Sequence, residues 1–407
     1  MSTKRKWTIL VVMALMTTLS QFDKNAISVA AVPISKEFGF SPAEMGVIIS
    51  CFFISYTAMN LVGGYIADMY GARKVAAVVT ALFSVFTGVT GLAWSFYSLL
   101  AIRFVFGAAE GAFPPTNSLI VAELFPVEKR AFPKSFITGS SAAGIGLGAI
   151  AITMITHYFG WRNAFGIYCL IGFALSGLFF YVSRGMKRPV CGGNEQKQSV
   201  SVKEVFKVPL IWRIIPIQFA GGAFMWGLNS WMPSYWMNVK GLKLVAMGFA
   251  AAIPNVVSAL SILCMGYILD KYLAGREKWA IATAAAVAAL FTYLTFIAPS
   301  VTMGVVYMTV ASTSAGILIQ TNLICVIKYF PQNTIGAGAG IGNGSSQLAG
   351  IVTPALMGYI LTVTGGNYTA VFGSVILMLF ISIFIALTIK TRVPEQVCKL
   401  DSAHNQT

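Results

Sequence analysis

Apolar residues run along this chain in long blocks, and the polar residues between them gather in short clusters. The blocks lack the strict alternation of a half-buried strand, and they are far longer than the roughly four to eight residues of a buried one. Twelve can cross a bilayer as helices, at residues 8–33, 42–66, 75–95, 97–122, 131–156, 163–183, 211–237, 246–269, 279–299, 301–327, 335–362 and 368–389. The pattern predicts an all-α membrane protein with twelve transmembrane helices. The first block is too long for a signal-peptide core and is expected to stay as the first helix.

Composition and charge sharpen this picture. Of 407 residues, 57% are hydrophobic and 10% charged, against about 25% charged in soluble domains, and the mean hydropathy is +0.76. A net charge of +15 would suit a nucleic-acid partner only if the cations shared a soluble face, and they do not. Counting alternate loops, 22 of the 28 Lys and Arg fall on the side that holds both termini. Four (Lys36, Arg162, Lys240, Lys243) fall on the other side, and Lys24 and Arg103 lie within helices. The positive-inside rule therefore predicts cytoplasmic termini in a cell (inner) membrane. Six scattered cysteines and two histidines form no metal-ligand spacing, so no metal or cofactor is expected, and no nucleic acid.

The chain also repeats itself. Gly64-Tyr65-Ile66-Ala67-Asp68 returns as Gly266-Tyr267-Ile268-Leu269-Asp270, Thr116-Asn117 as Thr321-Asn322, and Gly139-Ser140-Ser141 as Gly344-Ser345-Ser346, at offsets of 202, 205 and 205 residues. Offsets of half the chain predict two parallel six-helix bundles, 1–184 and 211–392, a cytoplasmic linker at 185–210 with a short interfacial helix near Val202 to Phe206, and a tail at 393–407. Two bundles tied in this way can rock around a central site, which makes a secondary transporter the leading class.

Ionisable residues inside a membrane are functional candidates by default. Four lie deep in the predicted helices: Asp23 and Lys24 in the first, Arg103 and Glu110 in the fourth. Arg103 and Glu110 are two turns apart on one face, about 10 Å along the axis. Depth counting places Asp23, Lys24 and Arg103 together in one outer layer, with Glu110 apart and nearer the midplane. Two cations attract a carboxylate, and two buried acids can carry protons; mutual neutralisation as internal glue is the bland alternative. The four charges sum to zero, so an anion enters without excess charge only with a proton.

The residues resemble a known family at several places. Gly64-x-x-x-Asp68-x-x-Gly71-x-Arg73-Lys74 is similar to the signature loop of the major facilitator superfamily, whose twelve-helix plan fits the whole chain. In that reading Asp68 and Arg73, with Asp270 in the second half, form a conformational latch in which Asp68 pairs with Arg73 or caps a helix terminus, while Gly64 allows close helix contact. Phe22-Asp23-Lys24-Asn25, Arg103-Phe104-x-x-Gly107-x-x-Glu110-x-x-x-x-Pro115 and Gly160-Trp161-Arg162 resemble the superfamily's anion:cation symporters, which carry sugar acids such as galactonate and hexuronates and other organic anions. The resemblance implies proton coupling at Asp23 and Glu110, with Lys24, Arg103 and the Tyr56 hydroxyl on the substrate; protons are then the coupling ion, and the partners are a small organic anion and the bilayer. A monomer is expected. Asn343 and Gln347 are added as substrate contacts, although such amides equally serve interhelical hydrogen bonds, as do Gln320, Asn322 and Asn229. The chain departs from the family at Lys24, where an Arg is usual, and at Gln347, where Asn is common. A proton-driven exporter of the same superfamily is the nearest alternative. An intramembrane enzyme or a channel is more remote.

Overall fold

The computed structural model describes residues 2–126, 129–186, 202–272, 275–331 and 334–389, and of residues 131, 142, 202, 203 and 262–272 the backbone alone. Each of the twelve predicted spans is helical. They are α1 (Thr3–Val29), α3 (Pro42–Tyr70), α4 (Ala72–Thr90), α5 and α6 (Phe96–Gly111 and Phe113–Leu124), the two limbs of α7 (Ala131–Val182), then α9 and α10 (Ile211–Gly222 and Asn229–Asn238), α11 (Leu244–Tyr272), α12 (Glu277–Ile297), α13 (Val301–Tyr329), α14 (Ile335–Val363) and α15 (Tyr368–Leu387). Two short helices were also formed, α2 (Ala31–Phe38) and α8 (Val202–Phe206), the second where the linker was expected to carry one. The rest of the predicted linker between 187 and 201, and the predicted tail, lie outside the described residues.

Local chemistry sets the breaks. Ser41 and Glu44 cap α3 reciprocally, with Pro42 in its first turn, and Ser95 and Ser98 do the same for α5. Gly160, at φ 80°, separates the two limbs of α7, a backbone conformation that costs any residue with a Cβ. The fourth span bends at Ala112 because Pro114 and Pro115 cannot donate to the carbonyls one turn earlier. The amide of Asn60 in α3 donates to the freed Gly111 carbonyl at 3.2 Å, so the bend is stabilised from a neighbouring helix. The seventh span contains a π turn, Ala223–Leu228, between α9 and α10.

The chain packs as two compact units. Among the described residues, the first takes 2–126, 129–186, 226–259 and 350–371; the second takes 202–225, 260–272, 275–331, 334–349 and 372–389. In the first unit an aromatic core of Phe52, Phe83, Phe106 and Phe113 joins α3, α4, α5 and α6. Small residues allow the approach: Gly107 lies against the Phe52 carbonyl and the Ser55 hydroxyl, and a Cβ on Gly63 would stand 2.5 Å from Ala112 Cα. Gly63 therefore makes the tight contact expected of Gly64, whose added Cβ would find only Pro115 at 3.7 Å. In the second unit, Glu277 at the start of α12 accepts from Lys328 Nζ at 3.1 Å and Tyr329 hydroxyl at 2.8 Å, both on α13.

The sequence repeat has a structural counterpart in each unit. Asn117 in α6 donates to Thr17 of α1 at 3.2 Å. Its repeat partner Asn322 in α13 donates to Gln218 and the Ile214 carbonyl of α9, at 2.9 and 3.0 Å. Both Asn residues are buried and tie the fourth helix of a half to its first, which assigns Asn322 to interhelical bonding.

Candidate functional site

The bend at Ala112 places Glu110 in the last turn of α5, facing α1. Glu110 is 0% exposed, and its carboxylate receives Lys24 Nζ at 3.2 Å together with a hydrogen bond from the Ser20 hydroxyl. Ser20 and Lys24 are one helical turn apart and share a face of α1. Lys24 Nζ also donates to the Tyr56 hydroxyl of α3 at 3.3 Å and lies 4.4 Å from the centre of its ring. Tyr56 is stacked in turn on Phe52, with ring centroids 5.2 Å apart. Three helices thus fix one cation on one buried carboxylate.

This grouping differs from the expected outer layer of Asp23, Lys24 and Arg103 above a separate Glu110. Helical side chains lean toward their own amino terminus, and α1 and α5 run in opposite directions. Lys24 therefore reaches back toward Glu110, while Arg103 leans the other way. Asp23, one residue before Lys24, points about 100° around α1 and is left out of the pair. It is 1% exposed, and neither of its oxygens has a hydrogen-bond partner among the described residues. Arg103 is 2% exposed; its guanidinium lies 4.8 Å from the Phe106 ring centre and 5.2 Å from that of Phe52, so aromatic faces hold it where no carboxylate does. Ser20, which completes the Glu110 site, carried no sequence signal beyond its one-turn spacing from Lys24.

The other predicted residues have contacts of their own. Asn343 and Gln347 share a face of α14 within the second unit; Asn343 is exposed and the Gln347 side-chain oxygen has no hydrogen-bond partner among the described residues. Of the aromatic residues in the seventh span, Trp231, Tyr235 and Trp236 are buried, and Trp231 donates to the Pro354 carbonyl at 3.1 Å. Trp226 in the π turn packs on Phe53, with centroids 5.1 Å apart. Arg73 donates to the Phe180 carbonyl and to Ser183 Oγ, both at 2.9 Å, so the cation sits on the carboxyl-terminal end of α7, where the helix dipole favours it. Asp68 is exposed at the end of α3, and the side chain of Asp270 lies outside the described residues. At the opposite ends of the helices, Arg162 grips Glu37 through Nε and Nη2 at 3.1 and 2.6 Å, and the carbonyls of Gly91 and Ala93 through Nη1 at 2.8 Å. Trp161 donates to the second Glu37 oxygen at 2.7 Å, so Gly160-Trp161-Arg162 acts as a clamp across α2, the turn after α4 and α7.

The family model of the Major Facilitator Superfamily matches residues 13–354 and, overlapping, 246–404. The chain belongs to the major facilitator superfamily. It is a multi-pass membrane transporter of the twelve-helix major facilitator fold, and not an enzyme. Curated relatives include the hexuronate transporter of Bacillus subtilis, 28% identical over 384 residues and 90% of each chain. A protein of Cupriavidus necator named as a probable sulfoacetate transporter is 27% identical over 389 residues and 89% of each chain. The D-galactonate transporter of Escherichia coli O6:H1 is 25% identical over 390 residues, 88% of this chain and 89% of that one. The fold is also that of a bacterial homologue of the human lysosomal transporter Spinster, crystallised in an inward-facing, occupied conformation: TM-score 0.82, 16% identity, 95% of this chain and 97% of the other.

Proposed function

We propose that this major facilitator transporter imports a small organic anion, a sugar acid or related carboxylate, by proton symport with alternating access. The Lys24–Glu110 ion pair carries the reading. A buried ion pair is a poor stabiliser compared with apolar packing, but it suits a cation whose counter-ion must be exchangeable. The substrate carboxylate takes Lys24, with the Tyr56 hydroxyl beside it, and Arg103 contributes the second positive charge. Glu110, released from Lys24 in a buried site, takes a proton in compensation. Asp23 is the second proton carrier. Names of the relatives support the substrate class, since they are transporters of sugar acids and a sulfonated carboxylate. The repeat supports two six-helix halves, 1–184 and 211–392, as the moving parts, with Asn343 and Gln347 of the second half on substrate hydroxyls and Asp68, Arg73 and Asp270 as latch residues of the cytoplasmic face. The cation distribution supports cytoplasmic termini in a cell (inner) membrane, and a monomer suffices for the cycle. The test is hexuronate or galactonate uptake into proteoliposomes under an imposed pH gradient. Accumulation that vanishes when the gradient is collapsed supports symport; uptake indifferent to the gradient refutes it.

A further inference from the structure

Asp23 does not stand alone in its burial. Five buried polar atoms that lack a hydrogen-bond partner among the described residues belong to Asp23 and to groups that interact with it: both Asp23 oxygens, Glu110 Oε2, the Tyr168 hydroxyl and Arg103 Nε. They come from α1, α7 and α5. Asp23 and Tyr168 are 1% exposed and Arg103 2%. The Tyr168 ring is held by Phe22, the residue before Asp23, with centroids 6.0 Å apart. Gly172, one turn further along α7, lets that helix seat against Ser84 of α4 and Leu19 of α1. The groups that face Asp23 are Arg103 and Glu110 from α5, Thr87 from α4, and Tyr168 and Cys169 from α7, with Lys24 adjacent on α1. The Thr87 hydroxyl, which gives its hydrogen to the Phe83 carbonyl at 3.0 Å, lies within reach of the Asp23 carboxylate, and Tyr168 and Arg103 Nε are the donors with no other partner among the described residues.

We infer that Asp23, Tyr168 and Arg103 enclose a buried water-binding site, and that through it Tyr168 is the positioning residue for the Asp23 proton. The two Asp23 oxygens and the two unspent donors supply the two to four polar partners an internal water needs, and Glu110 Oε2 is a further acceptor beside them. The water accepts from Arg103 Nε–H and from the Tyr168 hydroxyl and donates to one carboxylate oxygen, so the Tyr168 hydroxyl reaches the carboxylate through it. The inference rests on Asp23 as a proton carrier and adds what governs its proton.

Tyr168→Phe removes the hydroxyl and keeps the ring on Phe22. A hydrogen bond to an ionised carboxylate is stronger than one to its neutral acid, so its loss favours the protonated form. The pH at half-maximal proton-driven uptake should rise by about one unit, a tenfold gain in proton affinity. Substrate counterflow, measured with equal pH on both sides, should persist and report that the variant is folded. In Asp23→Asn, where accumulation is lost, adding Tyr168→Phe should leave counterflow unchanged. A pH profile in Tyr168→Phe that matches wild type, or moves to lower pH, overturns the Tyr168 assignment even if Asp23→Asn has lost accumulation. Wild-type accumulation in Asp23→Asn overturns instead the proton reading beneath it.

Discussion

Replacing Glu110 by Gln separates the two jobs that the buried pair performs. Glu110 is the counter-ion of Lys24, at 3.2 Å, and any anion that binds Lys24 must compete with it. With an effective dielectric constant of about 20, two unit charges at that distance attract by about 5 kcal/mol. Desolvation offsets much of this, but if about a quarter survives as a barrier to exchange, some 1.4 kcal/mol, its removal tightens anion binding about tenfold. Glu110→Gln keeps the shape and leaves an amide oxygen for Lys24 and Ser20. The variant should therefore bind substrate about tenfold more tightly than wild type near neutral pH, and its affinity should lose most of its pH dependence. Proton-driven accumulation should be abolished, since the group that exchanges Lys24 for a proton is gone. Calorimetric titration of purified protein with hexuronate or galactonate at several pH values, paired with uptake in proteoliposomes, measures both halves. An affinity unchanged or weakened in Glu110→Gln would refute the competition argument, and accumulation at the wild-type level would remove Glu110 from the coupling.

The other expectations are shorter. Arg103→Ala should eliminate measurable anion binding, whereas Lys24→Arg, which keeps the charge and changes its geometry, should bind with an altered order of preference among carboxylates; unchanged calorimetric affinity in Arg103→Ala would overturn the first. Asp23→Asn should abolish accumulation while counterflow at equal pH persists, as isotope exchange in liposomes will measure. Arg162 holds the exposed Glu37 carboxyl below the usual carboxylate range, so the clamp's contribution is present above the unfolded-state value near pH 4.3 and is lost as pH falls through the lower folded one. Because both partners are exposed, Glu37→Gln should cost no more than about 1 kcal/mol near neutral pH and nothing once the pH has fallen through the lowered folded-state value, read as the difference in thermal unfolding between variant and parent.

The helices and their order were legible because a membrane leaves the backbone few choices, and long apolar blocks closed by Ser, Pro and Gly have one reading. Even Gly160 and the Pro114-Pro115 pair mark their breaks in the chain. The four buried charges were legible for the same reason, since their cost makes them conspicuous. Their grouping was not. Depth counting along an axis places Asp23 beside Lys24, but successive residues on a helix diverge by about 100°, and the direction in which each side chain leans decides who meets whom. Lys24 consequently pairs with Glu110 across helices, and Asp23 is grouped with Tyr168, a tyrosine that its sequence context does not distinguish from the other fourteen. Arg73 shows the same limit: the loop motif announced a latch, but its partners at Phe180 and Ser183 are more than a hundred residues away.

The most direct test follows protons and substrate together. Purified protein in sealed liposomes, with a pH-sensitive dye outside, no imposed gradient and valinomycin with potassium to clamp the potential, is exposed to hexuronate or galactonate. Inward movement of the anion with protons should make the outer medium more alkaline, with an initial rate that saturates with substrate and disappears in Glu110→Gln. Substrate uptake confirmed by isotope with no accompanying change in external pH would contradict proton symport.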